Sequence, residues 1–129
     1  MRKMTMAKNE NRHSVFVYRY GDADSVSTPG RLLLRGEWSE KLELSIRAAC
    51  ESYEYFVAEQ IGVPTLYTEL YELSDGPTID DIAFHEFLGL RPATPDEVAS
   101  LTCRGKLYDF AGKFCSVRYW DCTLSPHGW

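Results

Sequence analysis

Four side chains that could bind zinc lie near the end of the sequence. They are Cys103, Cys115, Cys122 and His127, separated by 11, 6 and 4 residues, and no two of them form a Cys-x-x-Cys pair. Structural zinc sites usually take their ligands as close pairs, because a tight turn then directs two side chains at one ion. In an extended strand, Cys115 and Cys122 would also face opposite sides. The spacing therefore favours four reduced thiols, Cys50 included, without a metal.

The histidines do not form a recognisable catalytic motif either. A nucleophilic cysteine needs a base beside it, and the spacing of His13, His85 and His127 pairs none of them with a cysteine. His85 and Glu86 could begin the His-Glu-x-x-His motif of a metalloprotease, but Gly89 stands where the second histidine belongs. We therefore expect no catalytic residue and no cofactor, with His85 as a surface or rim residue.

Motifs for phosphate and calcium are incomplete. The glycines at 21, 30 and 36 do not match a phosphate-binding loop. Asp22 and Asp24 resemble the first half of a calcium loop, but its glycine and its distal glutamate are missing. The sequence therefore predicts neither a nucleotide site nor a calcium site.

The composition indicates one globular domain. The chain has 129 residues, of which 44% are hydrophobic and 13% aromatic, enough to bury a core without disulfides. We expect residues 1–13 to form a mobile polar arm and residues 14–129 to form the domain. Its apolar runs are far shorter than the roughly 20 residues of a membrane-spanning helix. The start of the sequence also lacks the apolar segment of a secretory signal, so we expect a cytoplasmic protein that does not bind membranes.

Charge is distributed unevenly along the chain. Residues 38–102 hold 13 acidic and 3 basic residues, whereas the two ends are mildly basic. An uneven distribution of this kind either keeps exposed helices solvated or marks a surface for a basic partner. Direct binding to nucleic acid is not expected, because the basic residues are scattered and the isoelectric point is about 5.2.

The first half of the chain predicts a hairpin followed by a long helix. Residues 14–20 and 31–35 have the β-branched, aromatic and aliphatic composition of strands. Ser39 is a suitable N-cap for a helix to about residue 60, with an apolar face and an acidic stripe opposite. Strand-like alternation at 41–47 is the competing interpretation. The stripe consists of Glu40, Glu43, Glu51 and Glu54, with Arg47 among them.

The second half predicts short helices and a second hairpin. Apolar spacing favours a helix over 65–73, where a strand is the alternative, and another over 79–88 capped by Thr78. Thr94 begins a capping box with Pro95 and Glu97, so a short helix should follow. Residues 106–110 and 113–124 predict two strands around an Ala-Gly turn. The predicted fold is α+β, with an antiparallel sheet formed by the N- and C-terminal hairpins and three or four helices packed on one face.

These patterns favour a binding protein over an enzyme. We expect a small acidic adaptor or inhibitor, of the size that phages and mobile elements encode, whose partner is a protein with a basic surface. The alternative is a small enzyme or ligand-binding domain with an aromatic-lined pocket. The sequence does not define the oligomeric state. The predicted partner-binding residues are Glu40, Glu43, Glu51, Glu54, Tyr108, Tyr119 and Trp120.

The cysteine pattern yields a first prediction. A thiol reagent should modify four residues per denatured chain, because irregular spacing provides neither a disulfide framework nor a zinc site. Elemental analysis of the purified protein should accordingly find zinc far below one ion per chain. Stoichiometric zinc, or fewer than four reactive thiols, would contradict the prediction.

Overall fold

A computed structural model describes residues 12–21, 27–73 and 83–126 of the chain. Five strands in these ranges form one sheet in the order β3-β4-β1-β2-β5. Every neighbouring pair is antiparallel except β2 and β5, which run parallel. The strands are β1 His13–Gly21, β2 Ser27–Arg35, β3 Tyr55–Val57, β4 Phe84–Pro92 and β5 Cys103–Lys106.

Five α-helices and one short 3₁₀ helix complete the described part. They are α1 Glu40–Ala49, α2 Ala58–Ile61, α3 Tyr67–Leu73, α4 Pro95–Ser100, α5 Leu107–Cys115 and the 3₁₀ helix Cys122–Leu124. Ser39 caps α1 by accepting a hydrogen bond from the Leu42 amide at 3.1 Å. Gly62 ends α2 in the left-handed conformation, with φ of 72°. The predicted short helix at 65–73 is confirmed as α3.

The predicted α+β class and the N-terminal hairpin of β1 and β2 are confirmed. The antiparallel sheet is only partly correct, because β5 lies parallel to β2. The C-terminal hairpin is wrong, since α5 takes the place of its turn and parts of both strands, and its end is the 3₁₀ helix Cys122–Leu124. The buried residues of α5 are Leu107, Phe110, Ala111 and Phe114. Their spacing of three, four and seven is helical, and the aromatic content and Gly112 suggested strands in its place.

Two predicted helices also differ from the structure. The long helix from residue 39 to 60 ends at Ala49, and a turn, β3 and α2 follow it. The helix predicted at 79–88 is wrong in the part of that range that the structure describes, because β4 begins at Phe84. A β-bulge lies opposite Val17 and Tyr18. Within the predicted range, Ala83 and Phe87 are both buried, and their separation of four residues fits one face of a strand as well as one face of a helix.

Some predictions fall on residues that are not described. Residues 1–11 of the predicted arm lie outside the described ranges, while His13 is the first residue of β1. The Asp22 and Asp24 loop, the Thr78 cap and His127 are also outside them.

One face of the sheet carries the main core. Alternate residues of β1 point to it, and the rings of Phe16, Tyr18 and Tyr20 are almost fully buried there. Helices α1, α2, α3 and α5 supply the opposing side chains, among them Ile46 and Phe114. Burial of these apolar groups is the main source of stability.

The short helix α4 lies on the other face, so the helices are not all on one side. Its Glu97 accepts two hydrogen bonds from Arg91, at 2.8 and 2.7 Å, and one from Arg31 at 2.9 Å. Glu97 and Thr94 also form the predicted capping box, with bonds of 3.0 and 3.2 Å to each other's amides. One carboxylate thus joins β2, β4 and the start of α4.

Glu97 provides a prediction on stability. Its hydrogen bonds with Arg91 hold the pKa of its carboxyl far below the ordinary value, although burial opposes the shift. Glu97→Gln should lower the free energy of unfolding by about 2 kcal/mol at neutral pH, because it weakens charge-assisted bonds and the cap. The folded-state pKa is depressed, so this stabilisation is present above the unfolded value of about 4.3 and is lost as pH falls below it.

The matched control is Asp96→Asn, which removes the neighbouring exposed carboxylate of α4. Urea denaturation of both variants at pH 7 and at about pH 3 measures the effect. The difference in the free energy of unfolding between wild type and Glu97→Gln should be smaller at about pH 3 than at pH 7. An equal loss in both variants at pH 7 would refute the role of Glu97.

Candidate partner-binding surface

The chain makes a tight turn between α1 and β3. Glu51 and Tyr55 pair across it, with the Glu51 amide donating to the Tyr55 carbonyl at 2.7 Å and the Tyr55 amide donating back at 2.9 Å. The Glu54 amide donates to the Glu51 carbonyl at 3.1 Å. Residues 51–55 are called the acidic turn below.

The backbone of the acidic turn is strained. Ser52 and Tyr53 have φ of 53° and 64°, and in the described ranges no other non-glycine residue has a positive φ. Two successive positive φ angles are typical of a type I′ turn, for which Asn-Gly is the favoured pair. A residue with a Cβ costs roughly 1–2 kcal/mol in this conformation. Tyr53 therefore occupies a position that glycine would fill with less strain.

The turn displays aromatic and acidic side chains together. Tyr53 is 65% exposed and Tyr55 is 36% exposed, and both glutamates of the turn are exposed as well. The Tyr55 ring packs edge-on against Phe84 with centroids 6.3 Å apart. Glu54 is the main cause that raises the pKa of Tyr55, with burial and Glu86 adding to it. We call Glu51, Tyr53, Glu54, Tyr55 and Glu86 the acidic-aromatic surface.

Glu86 brings one cation to this surface. Its carboxylate pairs with Arg19 of β1 at 2.7 Å, and the arginine side chain is 46% exposed. Exposed pairs of this kind contribute little to stability, about 0–1 kcal/mol. Among the residues that the structure describes, neither Glu51 nor Glu54 forms an ion pair with a cation.

Arg47 fixes the turn to the sheet. Its guanidinium donates to the Tyr53 carbonyl at 3.1 Å and to the Leu88 carbonyl of β4 at 3.2 Å. The same group lies 4.6 Å from the centre of the Phe87 ring, within cation–π distance. The sequence placed Arg47 in the acidic stripe, but its contacts show that it holds the turn in place.

The predicted stripe of four glutamates is not one surface. The Glu43 carboxylate accepts hydrogen bonds from the Trp38 indole at 3.1 Å and from the Leu90 amide at 3.2 Å. Glu40 is exposed at the first residue of α1, about 14 Å along the axis from its end at the usual helical rise. The structure therefore brings together only Glu51 and Glu54, and a partner-binding role for any of the four stays a prediction.

The three predicted aromatic residues lie in different surroundings. Tyr108 is 79% exposed on the first turn of α5. Tyr119 is 73% exposed, and its carbonyl accepts from the Gln60 amide group at 2.9 Å. Trp120 is half-buried, donates to the Ala49 carbonyl at 3.0 Å and packs against core rings. Trp120 thus holds the end of α1, while Tyr108 and Tyr119 are open to a partner.

The remaining candidate groups are dispersed or buried. His85, expected at the surface, is fully buried, and its Nε2 accepts from the Leu66 amide at 3.0 Å. Cys50 is buried too, which raises the pKa of its thiol to about 12. Cys103 and Cys115 are exposed, and Cys122 is half-buried. In the described parts of the chain, no three His, Cys, Asp or Glu side chains lie close enough to hold a metal ion.

Sequence reasoning missed Tyr53, Tyr55 and Glu86. The available signal was the mixture of glutamate and tyrosine from residue 51 to 55, but the predicted long helix included these residues. Among the described helices, none has the length and apolar character needed to cross a bilayer. Comparison with family models, curated proteins and solved structures finds no match to this chain.

The strained turn predicts that stability can be gained there. Replacing Ser52 with Asn and Tyr53 with Gly should raise the free energy of unfolding by about 1 kcal/mol, because both residues then suit positive φ. Tyr53→Ala is the control, since it removes the ring and keeps the strain. Its stability should stay within about 0.5 kcal/mol of wild type in urea denaturation. A double variant less stable than wild type would contradict the strain argument.

Proposed function

We propose that the protein acts by binding a macromolecular partner with a basic surface, as an adaptor or inhibitor, through the acidic-aromatic surface. The observation that carries the proposal is the exposed ring of Tyr53 on a strained turn, between two glutamates that form no ion pair within the described residues. Residues held in strained conformations cluster at active sites and ligand-binding sites. A turn selected for stability alone would carry Asn-Gly.

The side chains of this surface suit a basic partner in two ways. Tyrosine supplies a large contact area at a small cost in side-chain entropy, and tyrosines are common among the residues that dominate binding energy. Glu51 and Glu54 attract lysine and arginine during encounter, which raises the association rate and makes it sensitive to salt. An arginine of the partner can also lie over the Tyr53 ring as a cation–π contact.

The turn is also pre-organised for binding. The Arg47 bonds and the Glu51–Tyr55 pairing fix the backbone before a partner arrives. A surface that is already ordered loses less entropy on association than a flexible loop does.

The test compares variants against the partner recovered with the wild-type chain and then purified. Glu51→Gln with Glu54→Gln should slow association about tenfold at low salt and flatten its salt dependence. Tyr53→Ala should speed dissociation at least tenfold, because a central aromatic anchor acts mainly on the lifetime of the complex. Association and dissociation rates are measured by surface plasmon resonance at low and moderate salt.

The matched control is Glu37→Gln with Glu72→Gln, which removes two exposed carboxylates elsewhere and changes the net charge equally. If this control slows association as much as the turn variant, net charge is responsible and the proposed surface is refuted. Unchanged rates in all three variants would also refute it.

A further inference from the structure

A cleft lies along the β5 side of strand β2, away from the acidic turn, which adjoins β3. It has a volume of about 440 Å³, which lies in the range of small-molecule sites. Strand β5 pairs with β2 only between Leu33 and Arg35, so in the described ranges the stretch of β2 before Leu33 is paired with β1 on one side and has no strand on its β5 side. Residues 29–32 form one wall, and residues 100–102 and the start of α3 form the others.

The floor of the cleft is apolar and fixed. The Tyr18 ring is only 2% exposed, and its hydroxyl donates to the Pro64 carbonyl at 2.8 Å. A Cβ at position 30 would lie 2.7 Å from Tyr18 Cζ and 3.1 Å from Leu66 Cδ1. Gly30 therefore allows the ring to lie against β2 and Leu66. The apolar surface that a ligand can reach comes from the half-buried lining residues Pro64 and Leu101.

Two opposite charges lie on the cleft walls. Glu69 and Arg104 are both exposed, and neither forms a hydrogen bond or an ion pair within the described residues. Both charges act on Tyr18, whose pKa is raised to about 12: burial is the main cause, Glu69 adds to the rise and Arg104 opposes it. A third charge, Arg31, is already engaged with Glu97. Among the described residues, the cleft therefore offers one free anion and one free cation beside an apolar surface.

We propose that this cleft binds a small zwitterion of the amino-acid or short-peptide class, with its ammonium on Glu69, its carboxylate on Arg104 and an apolar side chain against Pro64 and Leu101. Opposite unpaired charges above an apolar surface match such a ligand group by group. A ligand with only one charge would leave either Glu69 or Arg104 without a group of opposite charge. This site lies outside the acidic-aromatic surface and does not depend on the function proposed for it.

The experiment titrates the full chain with four probes and follows binding by NMR chemical shifts. L-leucine and L-leucyl-L-leucine carry both charges, whereas N-acetyl-L-leucine lacks the ammonium and L-leucinamide lacks the carboxylate. We expect one or both zwitterions to bind at millimolar concentration or below, and the blocked probes to bind at least tenfold more weakly. The stronger of the two zwitterions identifies an amino acid or a peptide as the ligand.

Variants on the protein side provide the matching half of the test. Glu69→Gln should lower the affinity for L-leucine, so that the variant binds N-acetyl-L-leucine as tightly as L-leucine. Arg104→Gln should also lower the affinity for L-leucine, so that the variant binds L-leucinamide as tightly as L-leucine. Both residues are exposed, so the fold should survive. Glu72→Gln and Arg118→Gln are the controls, since they remove exposed charges outside the cleft.

The proposal is overturned if neither zwitterion causes saturable shifts at about 10 mM. It is also overturned if binding is unaffected by Glu69→Gln and Arg104→Gln, or if the controls weaken it equally. Variants of the acidic turn should leave the titration unchanged, which separates this result from the test of partner binding.

Discussion

The fold is organised around the ring of Phe16 on the central strand. This ring is fully buried, stacks on Phe87 at 5.0 Å and meets Phe110 edge-on at 4.9 Å. Its other aromatic contacts include Phe56 at 5.7 Å and Phe114 at 5.6 Å. Because these rings come from β1, β3, β4 and α5, one packing cluster sets the distances between four elements. Aromatic pairs in such geometries add to the stabilisation from burial alone.

The candidate binding surface depends on this cluster through β3. Strand β3 has only three residues, which is too short to be held by backbone pairing alone. Phe56 at its centre inserts among the core rings and also meets Trp120, whose indole bonds to the end of α1. The acidic turn is therefore fixed at both ends by packing that lies beneath it. A rigid base of this kind can hold the two positive φ angles that an isolated turn would relax.

A second constraint explains why β3 can be so short. Past Phe87, no described strand lies beside β4 on that edge, and α1 supplies the missing hydrogen bonds. Glu43 accepts from the Leu90 amide and Arg47 donates to the Leu88 carbonyl, so side chains one helical turn apart satisfy the edge. Covering an edge in this way also prevents pairing with another chain. Glu43 and Arg47, which the sequence placed in a charged stripe, thus complete the hydrogen bonding of the sheet edge from α1.

Local signals in the sequence were sufficient where the structure obeys local rules. The capping box at Thr94, the Ser39 cap and the first hairpin depend on neighbours in the chain, and each was predictable. Strand β4 was not, because it depends on pairing with β1 and β3, and the separation of buried Ala83 and Phe87 fits a helix as well as a strand. For α5 the helical spacing was present, but strand-forming residue types outweighed it. The candidate site was not predicted, because the predicted long helix included the turn that bears Tyr53.

Sheet order places the two proposed sites far apart. The acidic turn adjoins β3 and the cleft adjoins β2 and β5, at opposite edges of a five-stranded sheet, about 19 Å apart at the usual strand spacing. The side chains between them are Tyr18, Phe16 and Phe56, all buried and in mutual contact. Coupling between distant sites needs an element with two arrangements of similar energy, and closely packed rings offer only one. A ligand in the cleft should therefore leave the acidic turn unchanged, and the two surfaces should act as independent sites on one rigid sheet.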